Sequence, residues 1–273
     1  MTFDSARSEV ILFGGRNPDA LGETWTWNGA AWSEATPATT PPARYSHAMA
    51  FDSARGVTVL FGGMAADNTT VLNDTWEWDG TTWTAASPAI SPPPHSGFSM
   101  AYDSFRRVTV LFGGGAGVCG NDTWTWDGTT WSQQTPLQSP PERMDAAMAY
   151  DSVRGVTVLF GGWSCTDQLG DTWEWNGATW TERSPVVSPM ARFQHSVAYD
   201  SLRRETVLFG GDSSGAGLGD TWTWNGAAWT QQTTAVAPPA RSSSAMAFDS
   251  IIGATLLFGG YSAGNALGDI WTW

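Results

Sequence analysis

The 273-residue chain contains no lysine; its thirteen basic residues are all arginine. The absence excludes Schiff-base chemistry and a lysine general base, and with them one class of enzyme. Cysteine is almost missing too, with only Cys119 and Cys165. Two cysteines are too few for a disulfide-stapled small domain, and their spacing is unlike a zinc site. Histidine is limited to His47, His95 and His195. No apolar run approaches the ~20 residues of a membrane-spanning helix. Met1 leads straight into repeated sequence, with neither the charged start nor the apolar core of a signal peptide. Because Met1 falls partway through a repeat, a leader removed ahead of it is compatible with the pattern, and localisation stays open. Positive charge is scarce overall: 13 basic against 26 acidic residues give a net charge of -13. Such a surface repels phosphate backbones and anionic lipid, so neither nucleic acid nor a membrane is an expected partner.

Glycine and tryptophan are abundant, at 31 and 18 residues, and both are periodic. A chain of this length exceeds the usual single core, so it is two domains, one large β domain or an array of repeats. Asp-Ser recurs at Asp4, Asp52, Asp103, Asp151, Asp200 and Asp249, at intervals of 48, 51, 48, 49 and 49 residues. In step run the diglycines that begin at Gly14, Gly62, Gly113, Gly161, Gly210 and Gly259. Each is followed by Trp-x-Trp, beginning at Trp25, Trp76, Trp124, Trp173, Trp222 and Trp271. Six copies in phase identify an array, with units near 1–43, 44–94, 95–142, 143–191, 192–240 and 241–273 forming one domain over 1–273.

Within a copy the local pattern predicts four short strands. His47 to Phe51 alternates large and small residues, the period-2 signature of strand a. Val57 to Phe61 is a continuous β-branched and aromatic run, expected of a strand b buried on both faces. Thr75 to Trp78 forms strand c, the Asp79-Gly80 pair after it predicts a two-residue hairpin turn, and strand d starts near Trp83.

Diglycine after an apolar strand, then paired aromatics, then a closing tryptophan resembles the Kelch-repeat β-propeller family over essentially the whole chain. The resemblance implies an all-β, six-bladed propeller of four-stranded antiparallel blades. In such a fold strand a lines a central channel and strand d lies outermost, and here the first and last blades would be incomplete. Seventeen of the eighteen tryptophans sit at repeat positions and are expected to pack blade on blade; Trp163 is the exception. Arg7, Arg55, Arg106, Arg154 and Arg203 recur three residues after the repeat aspartate and are expected to pair locally. The aspartate of Asp-Thr-Trp is expected to bond backbone rather than act in catalysis.

The segments between strands b and c, and between d and the next a, differ among copies, whereas the a–b and c–d turns scarcely do. Variation confined to one face marks that face as the functional candidate. Two sets of residues should converge on a channel mouth there. One follows each diglycine: Arg16, Met64, Gly115, Trp163, Asp212 and Tyr261. The other precedes strand a: Arg44, His95, Arg143, Arg192 and Arg241, flanked by Tyr45, His47, Asp145, Phe193, Gln194 and His195. In peptide-binding Kelch propellers arginine at the comparable place points into the ligand site, so the resemblance implies a cationic ring suited to carboxylate, sulfate or phosphate. The alternative is that each arginine bridges to an acidic residue of the neighbouring blade. His47 and His195 invite a two-histidine metal site only if the channel is narrow; otherwise they fill the slot that Phe98 fills in its copy. Cys119 and Cys165 fall in b–c loops of consecutive copies, where a cross-blade disulfide would imply an oxidising, secreted or periplasmic compartment; the alternative is two buried thiols.

The expected function is therefore a non-enzymatic binding module for a protein, peptide or saccharide, in particular an anionic one, with no cofactor. One alternative is an oxidase or sugar-modifying enzyme assembled from scattered loops, with Asp145, Asp167, Asp212 and a mouth histidine as acid/base candidates. No nucleophile elbow or HExxH motif supports it. The other alternative is a purely structural repeat array.

Overall fold

The computed structural model describes every residue from Met1 to Trp273 and is all β, with no helix. It divides into two compact units, Met1–Thr135 and Pro136–Trp273, each carrying three of the six repeats. Each repeat folds as one antiparallel sheet, here called a blade.

In the first unit, blade one is β1 (Thr2–Asp4), β2 (Glu9–Arg16), β3 (Ala20–Trp27) and β4 (Trp32–Ala35). Its first strand keeps only three residues where the other blades have five, so strand a is largely missing as expected, although the sheet still counts four strands. Blade two adds a two-residue strand β5 (Arg44–Tyr45) to β6 (Ala48–Asp52), β7 (Val57–Ala65), β8 (Val71–Trp78) and β9 (Trp83–Ala86). Blade three is β10 (Ser99–Asp103), β11 (Val108–Phe112), β12 (Thr123–Trp126) and β13 (Trp131–Gln134).

In the second unit, blade four is β14 (Ala147–Asp151), β15 (Val156–Trp163), β16 (Gln168–Trp175) and β17 (Trp180–Arg183). Blade five is β18 (Ser196–Asp200), β19 (Glu205–Phe209), β22 (Thr221–Trp224) and β23 (Trp229–Gln232), with a small hairpin of β20 (Asp212–Ser213) and β21 (Ala216–Gly217). Blade six has three strands, β24 (Ala245–Asp249), β25 (Ala254–Phe258) and β28 (Ile270–Thr272), and its own hairpin of β26 (Tyr261–Ser262) and β27 (Asn265–Ala266).

The strand b positions are fully enclosed, as their unbroken apolar runs predict: Val59, Leu60 and Phe61 expose nothing. Aromatic pairs join strand c to strand d and blade to blade. Trp78 faces Trp83 across the strand pair at 5.4 Å. Trp83 in turn lies edge-on to Phe13 of the preceding blade at 5.3 Å and donates its indole N–H to Thr24 Oγ1 at 2.8 Å. Trp131 and Trp229 repeat both contacts, on Phe61 and Thr75 and on Phe160 and Thr172. Each indole thus buries a large apolar area while its one donor stays satisfied.

Two turn expectations need correction. The c–d connection is a four-residue loop rather than a two-residue turn, because Trp27 pairs with Trp32 across it. Asn28 Oδ1 accepts the N–H groups of Ala30 and Ala31, so only Gly29 needs positive φ, at 93°. The diglycine does not end strand b in blades one, two and four; it bulges the strand and lets pairing continue beyond it. Gly62 sits at φ 54°, and a Cβ there would lie 2.7 Å from the His95 carbonyl of the next blade. Glycine is required on both counts.

The a–b turns follow the local-pairing expectation. Asp52 Oδ1 accepts the N–H groups of Ala54 and Arg55, and its other oxygen takes the Arg55 guanidinium at 2.6 Å. Asp4, Asp103, Asp151 and Asp200 do the same.

Candidate functional site

The residues singled out before strand a separate into two kinds once their side chains are placed. Arg44, Arg143, Arg192 and Arg241 are fully buried, so they form no cationic ring toward a ligand. Each guanidinium is held inside its own blade, which also corrects the idea of a bridge to a neighbouring blade's carboxylate. Arg192 is bidentate on Asp220 at 2.6 and 2.8 Å, donates to the Gly210 carbonyl at 2.9 Å, and gives its Nε–H to Met190 O. Arg44, Arg143 and Arg241 do likewise on Asp74, Asp171 and Asp269. A guanidinium with four of its five N–H groups engaged and no exposed surface does not recognise an external anion.

The repeat aspartate therefore bonds side chains as well as its own backbone, since Trp76, Trp173, Trp222 and Trp271 each donate an indole N–H to it too. Burial pushes Asp220 upward, but the hydrogen bonds from Arg192 and Trp222 and the arginine charge outweigh it and leave its pKa lowered. At Asp269 the Arg241 hydrogen bond dominates, and the value falls to about 2. Blade three departs from this arrangement. His95 takes the arginine slot and turns its Nδ1 to the Pro93 carbonyl, and the buried indole N–H of Trp124 has no partner.

The histidines at strand a are packing residues. His195 lies edge-on to Phe160 at 5.5 Å and His47 edge-on to Phe13 at 5.7 Å, as Phe98 lies against Phe61. Burial, then for His195 the Arg192 charge, lowers its pKa to about 3. His47 also falls to about 3, through burial and the charges of the N-terminus and Arg44. Neither ring nitrogen of His195 makes a hydrogen bond of good geometry, although the nearby Phe160 carbonyl offsets part of the burial cost. A neutral, enclosed imidazole is no general acid or base near neutral pH.

What the fold does bring together is the residue after each diglycine and the residue after each arginine slot. They pair in antiparallel register as Tyr45 with Met64, Ser96 with Gly115, Met144 with Trp163, Phe193 with Asp212, and Ser242 with Tyr261. The next residue in each case, Ser46, Gly97, Asp145, Gln194 and Ser243, adopts the left-handed conformation with φ between 53° and 65°. Within each unit these residues are stapled from blade to blade. Gly97 N–H donates to Ser46 O, Gln194 N–H to Asp145 O, and Ser243 N–H to Gln194 O, at 2.8 to 3.1 Å. The staple was not foreseen from the sequence. The mixture of serine, glycine, aspartate and glutamine at one position hides a shared backbone conformation, which the lone Gly97 alone hints at.

In the first unit this rim carries Arg16, which stacks over the Tyr45 ring at 5.0 Å and donates to Pro18 O. Tyr45 in turn donates its hydroxyl to Asn68 Oδ1. In the second unit the Trp163 and Phe193 rings lie 5.9 Å apart at 50°, and Tyr261 is half exposed. Gln194 reaches Asp145 Oδ2 at 3.4 Å, and Asp212 anchors its hairpin by accepting Gly215 N–H. Burial raises the pKa of Asp145 above its ordinary value, against the Gln194 hydrogen bond. Asp167 is exposed, engaged with Ser164 and Thr166 in its own turn. Neither Cys119 nor Cys165 is a free thiol.

Six antiparallel meander sheets, a diglycine after strand b in each repeat and a variable, backbone-stapled rim define a Kelch-type β-propeller, all β and six-bladed, with mainly four-stranded antiparallel blades. A family model described as the KLHDC2/KLHL20/DRC7 Kelch-repeats domain matches residues 1–181, and the chain belongs to this Kelch-repeat family. No curated protein matches it. The Kelch propeller commonly mediates protein interactions, and a binding module is consistent with what the chain presents.

Proposed function

We propose that the chain is a non-enzymatic module that binds a segment of a partner protein through the rim of its second unit, at Trp163, Phe193, Gln194, Asp145, Asp212 and Tyr261. The observation that carries this reading is the contact of Trp163, the only tryptophan outside the repeat, with Phe193 at a register position where the scaffold tolerates any residue. Aromatic side chains beside a few polar groups are the composition of an interface anchor. The polar groups on this rim are acidic or neutral, so the ligand favoured is a peptide with an apolar or aromatic side chain and hydrogen-bond donors, not the anionic one that an arginine ring would select. A secreted or periplasmic location accords with cysteines that are not free thiols.

The test is selection from a random peptide library on the wild-type chain, followed by affinity measurement on Trp163→Ala and Phe193→Ala. Loss of a hot-spot aromatic of this kind costs about 2 kcal/mol or more, a thirtyfold weakening. Val153→Ala, in an a–b turn, serves as the control and should bind unchanged. Peptides that bind all three variants equally would place recognition elsewhere.

A further inference from the structure

In five of the six repeats the buried aspartate of the a–b turn is neutralised from inside the turn. Asp4, Asp52, Asp103, Asp151 and Asp200 each take the guanidinium of the arginine three residues on, at 2.6 to 2.7 Å. Blade six breaks the pattern between β24 and β25, where Ile252 stands in the place of the arginine. Asp249 is nonetheless as enclosed as its counterparts, at 3% exposure. Its Oδ1 accepts the N–H groups of Ile251 and Ile252 at 2.8 and 3.3 Å, so the turn itself is formed as in the other blades. Its Oδ2 has neither a hydrogen bond nor an ion pair, and it is not sealed off as the ring nitrogens of His195 are. The opening is set by a substitution within the turn.

An ionised carboxylate drawn out of water without a counter-charge is unfavourable, and a cation that reaches it recovers much of the loss. The surface around this one is apolar. Ile251 and Ile252 are 66% and 49% exposed, and Leu202 of blade five is 65% exposed. Leu202 belongs to the same patch, because its Cδ1 lies 3.0 Å from where a Cβ on Gly253 would stand.

We infer that this turn is a receptor site for an arginine side chain carried on an apolar stretch of polypeptide. The guanidinium would take on Asp249 Oδ2 the place that Arg203 takes on Asp200 Oδ2. The arginine stem and an apolar neighbour would lie on Leu202, Ile251 and Ile252. The fold itself displays the ligand chemistry, since five sister carboxylates in the same turn each hold a guanidinium. A lone carboxylate supplies too few ligands for a metal ion. Guanidinium is also more weakly hydrated than an ammonium group, which suits it to a carboxylate ringed by isoleucine and leucine. The turn lies at the opposite end of β25 from Gly259 and Gly260, so the site is distinct from the rim proposed above and does not rest on it.

The experiment adds the tripeptide acetyl-Leu-Arg-Leu-amide to the whole chain and follows the backbone N–H signals of Ile251 and Ile252 by NMR, since both groups donate to the Asp249 carboxylate. Saturable shifts are expected. Replacing the peptide arginine by citrulline, which keeps the shape and removes the charge, should weaken binding about tenfold or more. Asp249→Asn, which keeps an acceptor for the two turn N–H groups, should weaken binding of the arginine peptide by as much. Arginine amide without the flanking leucines should bind about tenfold more weakly than the tripeptide. Ile252→Arg restores the arrangement of the other five turns, so this variant should unfold at a higher Tm and no longer bind the peptide. Absence of saturable shifts, equal binding of the citrulline peptide, or unchanged binding by Ile252→Arg would overturn the inference.

Discussion

The guanidinium of Arg192 is completely enclosed and rests bidentate on the carboxylate of Asp220, at 2.6 and 2.8 Å, while Trp222 donates to the same carboxylate at 2.7 Å. The unit ties the segment before strand a to strand c of its own blade, and through Gly210 O to the diglycine after β19. Removing the arginine leaves a carboxylate that is 23% exposed and keeps the Trp222 N–H, which places the cost at the low end for a buried pair, about 3 kcal/mol. Arg192→Ala is therefore expected to lower stability by that amount in urea unfolding, as is Arg143→Ala. A loss of ligand binding by either variant would follow the loss of fold. Equal midpoints for variant and wild type would show that the pair contributes nothing.

Blade three offers the converse experiment. His95 replaces the arginine, and the Trp124 indole N–H is buried without a partner. His95→Arg supplies a group able to engage Asp122 as Arg44 engages Asp74, and to draw that carboxylate toward Trp124. An unsatisfied buried donor costs about 1–3 kcal/mol, so the variant is expected to gain about 1 kcal/mol after the burial cost of the new charge. Thermal unfolding checks the sign: a lower Tm would mean that the blade three loop cannot bring Asp122 into position.

These two sites show what could be read from the sequence and what could not. Strand identity, the diglycine positions and the tryptophan scaffold followed from periodicity, whereas the bulge that carries strand b past the diglycine in three blades did not. The direction of the arginines did not follow. Arginine recurs at this position in four of five copies, as ligand residues and buried ties both can, and spacing alone does not say whether a guanidinium turns outward or back onto the Asp-x-Trp of its own blade. Variation told scaffold from the rest: the position of Trp163, Asp212 and Tyr261 is held by backbone pairing and carries a different side chain in each copy. The left-handed rim at Ser46, Asp145 and Gln194 was invisible because no single residue type marks it.

Acid should weaken the fold through histidine before it reaches the carboxylates. His195 and His47 have pKa values near 3 in the folded chain against 6.5 in the unfolded chain, so the unfolded chain takes up protons first. Their contribution is intact above 6.5 and is lost as pH falls through that window toward 3, at up to about 1.4 kcal/mol per pH unit for each histidine. His195→Phe copies the Phe98 arrangement and removes one proton from that uptake, so its stability between pH 6.5 and 4 should fall less steeply than that of the wild type. It should also exceed the wild type at pH 5, since a buried ring with two unpaired nitrogens is replaced by an apolar one. Parallel stability-versus-pH curves for the two proteins would exclude His195 as the source.

Asp145 works with the opposite sign. Burial raises its pKa above 3.8 in the folded chain, so the unfolded chain ionises first and folding becomes less favourable as pH rises through the folded value. The residue also sits at φ 55°, a conformation that asparagine tolerates at least as well as aspartate. Asp145→Asn keeps an acceptor for the Gln194 amide, leaves the Gln194 N–H to Asp145 O staple untouched and removes the buried charge. Its Tm at pH 7 should exceed that of the wild type, and the difference should vanish below pH 3.8, where the aspartate is protonated in both states. If instead Asp145→Asn is less stable at pH 7, the carboxylate is held by a favourable interaction in the folded rim, and its ionised form, rather than its burial, is what the second unit has been built around.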